Sequence, residues 1–260
     1  MSTGFPLDYE SRGYAYVERP NETLLALLGK HVCQPGRRAK ILDVGCGAGA
    51  NARALVERFP ETSVVGIEPD AHAAELARAA CVEVVQGTLD DFLKRDDETR
   101  FDAVVLSDVI EHVVEPVRFL RALRDAPVAA SARWFVSVPN YAVWYNRLRT
   151  LAGRFSYSWS GLYDRTHLRF YTRKSVRELL DHCDLDVLEQ AATPSLVQSA
   201  APLLRRFFEK DVEPGEHLSL SESPAFRLYS RHVEPLEARV CSLWPELLAF
   251  QIVSVAVPRR

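Results

Sequence analysis

Short apolar, β-branched runs alternate with amphipathic stretches over most of the chain, and this alternation limits the fold more than any other feature. "AKILDVG" (39–45), "SVVGIEP" (63–69), "VEVVQG" (82–87), "FDAVVLSD" (101–108) and "RWFVSVPN" (133–140) read as strands, with helices about 49–59, 70–80 and 116–125 between them. Strands that are apolar throughout are covered on both faces, so the pattern predicts a parallel sheet with helices on either side. A helix over 172–183 is expected from the cap Thr172 and the one-sided Val176, Leu179 and Leu180. "LDVLEQAA" (185–192) and "LLAFQIVSVAV" (247–257) supply two more strands. The expected organisation is an N-terminal helical cap at 1–36, a core at 37–194 that carries an irregular lid at 140–171, a helical insertion at 195–246 interrupted by Pro202, Pro214, Pro224, Pro235 and Pro245, and the final strand of the core at 247–260.

The most informative segment is "ILDVGCGAGA". Gly45, Gly47 and Gly49 follow a strand and open a helix, where glycine permits a tight turn and close approach of the backbone to a ligand. Alone, such a loop is also compatible with a dinucleotide site, since Gly45, Gly47 and Ala50 meet that spacing. Asp43 precedes the loop, placed to face a cationic group, and Glu68 ends the second strand, placed to accept hydrogen bonds from a ribose diol. "QGTLDDF" then offers Thr88, Leu89 and Asp90 to an adenine edge. After the fourth strand, "SDVIEHV" groups Asp108, Glu111 and His112, and "DRTHLRFYT" adds His167. Carboxylates and imidazoles form a ligand set for Mg, Mn, Fe or Zn. Alternatively, His112 or His167 serves as the general base for a hydroxyl or positions the acceptor.

"LDVGCGAG", "GIEPD", "GTLDDF" and "LSDVIEHV", in this order, resemble the class I S-adenosylmethionine (SAM)-dependent methyltransferases over roughly residues 37–192. The resemblance implies a Rossmann-like, seven-stranded, mostly parallel α/β sheet with an antiparallel last strand. It also implies SAM as cofactor. By this analogy Asp43, Gly45, Cys46, Gly47 and Gly49 contact the amino-acid part of SAM, Glu68 and Pro69 lie at the ribose, and Thr88, Leu89 and Asp90 lie at the adenine. Ser107 and Asp108 complete the floor, and Tyr16 or Arg19 closes over the ligand. The Asp/Glu/His turn is similar to that of ubiquinone-pathway O-methyltransferases and of small-RNA 3′-terminal 2′-O-methyltransferases, with Asp108 where those families carry Glu. A divalent ion, Mg or Mn, held by Asp108, Glu111, His112 and His167 is therefore one alternative; a metal-free turn is the other.

Between Asn140 and Lys174 stand Arg147, Arg149, Arg154, Arg165, Arg169, Arg173 and Lys174 against the single acid Asp164, interleaved with nine aromatic residues. Arginines clamp anions and aromatics stack on rings, which predicts a lid over a small anionic acceptor. The resemblance to O-methyltransferases, and to bacterial enzymes that methylate sugars, implies methylation on oxygen and, as an alternative, a sugar-type acceptor. A solvated basic helix over packed aromatics is the plainer alternative. The net charge of −3 argues against a nucleic-acid substrate. An RNA 2′-O-methyltransferase and a non-catalytic SAM-fold interaction module nevertheless remain as alternatives. Five scattered cysteines without a Cys-x-x-Cys pair argue against a disulfide framework and suit the cytoplasm. Neither a secretory leader nor a membrane span is expected. The insertion's apolar positions, among them Leu203, Leu204, Phe207, Phe208 and Trp244, could pack on the core or form a homodimer.

Overall fold

The computed structural model describes residues 19–95, 99–126, 131–158, 161–194, 239–241 and 243–259. Seven strands form one sheet in the order β3-β2-β1-β4-β5-β7-β6. They are β1 (Ala39–Val44), β2 (Thr62–Glu68), β3 (Glu83–Gln86), β4 (Ala103–Ser107), β5 (Arg133–Pro139), β6 (Leu185–Pro194) and β7 (Ala249–Pro258). The first five pair in parallel. β7 runs antiparallel to both β5 and β6, as the resemblance implied for the last strand.

Eight helices accompany the sheet among the described residues: α1 (Glu22–His31), α2 (Ala50–Arg58), α3 (Ala71–Ala77), α4 (Leu89–Leu93), α5 (Pro116–Asp125), α6 (Trp144–Leu151), α7 (Arg173–His182) and α8 (Pro245–Leu248). Local chemistry explains their ends. Asn21 caps α1 by accepting the Leu24 amide at 3.0 Å, with Glu22 in the first turn and Lys30 and His31 in the last, each sign matched to the helix dipole. Thr172 and Ser175 form a reciprocal capping box on α7, and Thr88 and Asp91 form one on α4.

Each face of the sheet carries its own core. On one face Leu24, Leu25 and Leu28 of α1 join Leu55, Val64, Phe135, Val253 and Val255. On the other, Phe92, Leu120, Leu123 and Leu180 pack on Leu106, Trp134, Val136 and Ile252. Both faces of β1, β4 and β5 are therefore buried, as their continuous apolar sequences require. All five cysteines are buried free thiols. No helix of the described residues is long and apolar enough to cross a membrane.

The sequence reading assigns no element to the stretch 86–92; Leu89 and Phe92 are buried in the core there, and the stretch contains the short helix α4. The irregular segment 140–171 contains α6, whose sequence has no long apolar stripe because Leu148 and Leu151 are exposed. Of the expected insertion at 195–246, all but 239–241 and 243–246 lies outside the described residues, as do Leu203, Leu204, Phe207, Phe208 and Tyr16.

Candidate active site

The glycine loop joins β1 to α2 at the carboxyl edge of the sheet. Gly45 has φ +74°, and a Cβ there would lie 2.7 Å from Val109 Cγ2, so the position is closed to any other residue on two counts. Gly49, at φ +79°, is the N-cap of α2, and a Cβ would meet the α3 backbone at Ala77 at 3.0 Å. Behind the loop, one oxygen of Glu68 accepts the Gly47 amide at 2.8 Å and the other accepts the Asp70 amide at 3.0 Å. This carboxylate is thereby fixed at the end of β2.

Asp43 is 3% exposed and its Oδ1 has no hydrogen-bond partner. Burial first, and the neighbouring Glu68 second, push its carboxyl up to about 7. Asp108 closes the next strand, β4, in the left-handed region at φ 55°. Its Oδ2 accepts the Gln251 side chain at 2.7 Å, while its buried Oδ1 has no partner. Burial raises its pKa to about 6, with Ser137 and Gln251 pulling against that rise. Two adjacent strands thus carry, near the end of one and just past the end of the other, a carboxylate with one buried oxygen that has no partner, beside a glycine loop. Buried acceptors that lack donors call for a donor-rich or cationic ligand. The ammonium and sulfonium of SAM meet that demand, so the donor set fits this cofactor.

Other residues expected at the donor divide. Thr88 spends its hydroxyl on the α4 capping box, and Asp90 is exposed in the first turn of that helix. The Leu89 side chain is buried in the core beside Phe92 instead of lining an open edge. The Cys46 thiol turns inward against Gly66 and Cys81, leaving only its backbone in the loop. Pro69 is exposed, Ser107 Oγ lies 3.3 Å from Ser137 Oγ, and Arg19 is half-buried.

A second group lies just beyond β4, where Ile110–His112 form a single 3₁₀ turn. Glu111, His112 and His167 place one ligand atom each within 4.8 Å of one another. Asp108 does not belong to this group. Both carboxylate oxygens of Glu111 are buried without a hydrogen bond. His112 Nδ1 lies 3.2 Å from the Thr166 carbonyl, and His167 Nδ1 lies 3.1 Å from the Leu162 carbonyl. A carbonyl only accepts, so each Nδ1 carries the hydrogen and each Nε2 is left as a bare acceptor. Burial, with the neighbouring His167 adding to it, lowers the His112 pKa to about 4; burial also lowers that of His167. Burial and Asp108 raise that of Glu111 well above the ordinary range. The loop is locked here by the Leu168 and Arg169 amides, which donate to the Glu111 carbonyl at 2.8 and 3.0 Å.

The segment 140–171, expected to be a lid, contains an aromatic pack. Tyr141 and Phe155 each pack against both Tyr163 and Phe170 with ring centroids 5.1–6.3 Å apart, and the Arg149 guanidinium lies 4.5 Å above the Tyr163 ring. Asp164, the one acid of the segment, is buried and accepts the Thr166 amide at 2.8 Å. Arg147, Arg154, Arg165, Arg169 and Lys174 are exposed around this pack. Sequence reasoning missed Gln251 and Asn21, because nothing in a strand of alternating apolar residues or in a helix cap marks either as a partner of the site.

Comparison with known proteins agrees with this geometry. Residues 14–190 match a family model described as a methyltransferase domain. The chain is similar to a ubiquinone biosynthesis O-methyltransferase of Alkalilimnicola ehrlichii, 39% identical over 93 residues, which are 34% of this chain and 36% of that protein. A second protein of the same name, from Idiomarina loihiensis, is 28% identical over 192 residues, 70% of this chain and 74% of its own. The chain thus spans only about a third of the first relative's length. A SAM-dependent methyltransferase from Archaeoglobus fulgidus shares the fold, with a TM-score of 0.54 at 16% identity over 91% of this chain and 93% of its own. With the glycine loop, the two open carboxylates and the sheet order in place, the chain belongs to the class I SAM-dependent methyltransferase domains.

Proposed function

We propose that the protein transfers a methyl group from SAM to a hydroxyl oxygen of a small anionic acceptor, with a divalent cation held by Glu111, His112 and His167. The observation that carries this reading is the cage in which Glu111, a buried carboxylate without partners, His112 and His167 bring one potential ligand atom each within 4.8 Å of one another, each imidazole lying against a carbonyl through Nδ1. Three converging acceptors without a donor are unfavourable unless a cation or proton joins them. Imidazoles that donate Nδ1–H to carbonyls are the usual outer support of metal-binding histidines. Asp43 and Asp108 would face the ammonium of SAM and Glu68 its ribose, and SAM supplies an electrophilic methyl for in-line displacement. An ion in the cage would bind and acidify the acceptor hydroxyl.

The chain's own residues do the rest by positioning. The glycine loop and Glu68 orient the donor. The aromatic lid excludes water and offers ring faces to the acceptor, and Arg147, Arg154, Arg165 and Arg169 favour a carboxylate or phosphate on it. The names of the relatives support oxygen as the methylated atom. A second reading, RNA 2′-O-methylation, draws on the same cage and the basic lid. It predicts RNA binding that falls steeply with salt, whereas a small acceptor does not.

The test is Mn²⁺ binding followed by calorimetry and electron paramagnetic resonance. The protein is expected to take up one ion, with nitrogen ligation in the spectrum, and His167→Ala is expected to abolish it. Absence of binding in the folded parent protein removes the cage from the mechanism and leaves His112 and His167 to be tested as metal-free positioning groups.

A further inference from the structure

Gln251 and Asn21 connect three parts of the site that are far apart in sequence. The Leu24 amide donates to Asn21 Oδ1 at 3.0 Å, Asn21 Nδ2 donates to Gln251 Oε1 at 3.2 Å, and Gln251 Nε2 donates to Asp108 Oδ2 at 2.7 Å. The direction of this relay is forced. It begins on a backbone N–H, which can only donate, and ends on a carboxylate oxygen, so both amides between can point only one way. Asn21 is also held from its main chain, its backbone amide donating to Asn51 Oδ1 at 2.8 Å, in the first turn of the helix that the glycine loop opens. Gln251 sits in β7 opposite Pro139, the last residue of β5, so the relay crosses the carboxyl edge of the sheet beside Asp108. The relay occupies Asp108 Oδ2 and leaves the buried Oδ1 without a partner, free to face a ligand.

We infer that Asn21 and Gln251 are positioning residues of the donor site: they orient Asp108 through a one-way hydrogen-bond relay and tie its orientation to the glycine-loop helix. The inference rests on the SAM reading above and adds to it a function for the cap of α1 and for the last strand.

Asn21→Asp separates positioning from structure. Aspartate caps a helix as well as asparagine does, so α1 keeps its Leu24 bond. It has no N–H to give Gln251, however. Either the two oxygens face each other, or the Gln251 amide flips and presents its oxygen to Asp108. S-adenosylhomocysteine (SAH) binding is measured by calorimetry for the parent, Asn21→Asp, Gln251→Leu, Asp108→Asn, and each of the first two variants combined with Asp108→Asn. Asn21→Asp and Gln251→Leu are expected to weaken SAH roughly tenfold or more, the cost of a lost bond to a charged group. Asn21→Asp is expected to leave the unfolding temperature of the ligand-free protein close to the parent's. In the Asp108→Asn background both effects are expected to shrink to near nothing, because the relay then has no carboxylate to orient. Parental affinity in Asn21→Asp, or equal losses with and without Asp108, overturns the inference while leaving the SAM reading standing. If Gln251→Leu does not fold, Asn21→Asp alone decides. Failure of the parent itself to bind SAH overturns the SAM reading, and the relay's function with it.

Discussion

Asp43→Asn should make the ligand-free protein more stable and the donor site worse. The carboxyl is buried, its Oδ1 has no partner, and its pKa stands at about 7 against an ordinary 3.8. The folded protein therefore holds a proton that the unfolded chain has released between those values. Protonation favours the folded state, so this residue's contribution is largest below pH 4 and is lost as pH rises to about 7. A rise from 3.8 to about 7 corresponds to at most roughly 4 kcal/mol. Relative to the parent, Asp43→Asn should gain stability progressively from pH 4 to 7 and plateau at a gain of roughly 2–4 kcal/mol by pH 8. Chemical denaturation at pH 4.5, 6 and 8 measures this directly. SAH binding should move the opposite way. Its ammonium requires ionised Asp43, and at about one pH unit below the pKa only roughly a tenth of the sites are competent, so affinity in the parent should fall roughly tenfold from pH 8 to 6. The variant should bind weakly at both values. A stability difference between variant and parent that does not change with pH, or SAH affinity that does not depend on pH in the parent, refutes the reasoning.

Further outcomes follow from the same geometry. Gly45→Ala forces a Cβ to 2.7 Å from Val109 Cγ2 at a left-handed φ, and should destabilise by roughly 2–4 kcal/mol; Val109→Ala should restore the steric part but not the backbone part, in a denaturation cycle. Glu111→Gln should abolish Mn²⁺ binding, yet leave the EDTA-treated protein at pH 8 at least as stable as the parent, since it removes a buried carboxyl without partners. Thr172→Ala should cost about 1 kcal/mol through the lost cap of α7, with SAH affinity unchanged.

The sheet and the donor loop were legible in the sequence because both are written locally. A strand covered on both faces reads as an unbroken apolar run, and a turn that must adopt left-handed angles reads as glycine. Glu68 and Asp43 were legible by their distance from that loop. The internal order of segment 140–171 was not, because it comes from aromatic contacts such as Phe155 with Tyr163 and Phe170, which are fixed by packing instead of period. The burial of the Leu89 side chain against Phe92 was not legible for a related reason, since it is a packing contact and not a feature of the motif. His167 could be singled out by residue type, but its meeting with Glu111 depends on loop amides 168 and 169 closing on the Glu111 carbonyl. Gln251 was invisible, since its partner Asp108 lies 143 residues away.

The most direct test is thermal unfolding of the parent protein in EDTA, with and without SAH at about 100 times its dissociation constant. The account predicts a stabilisation of about 2.7 kcal/mol, a rise of roughly 5–10 °C for a chain of this size. No rise at any soluble SAH concentration, in a protein that unfolds cooperatively, contradicts the claim that the glycine loop, Asp43 and Glu68 form a donor site.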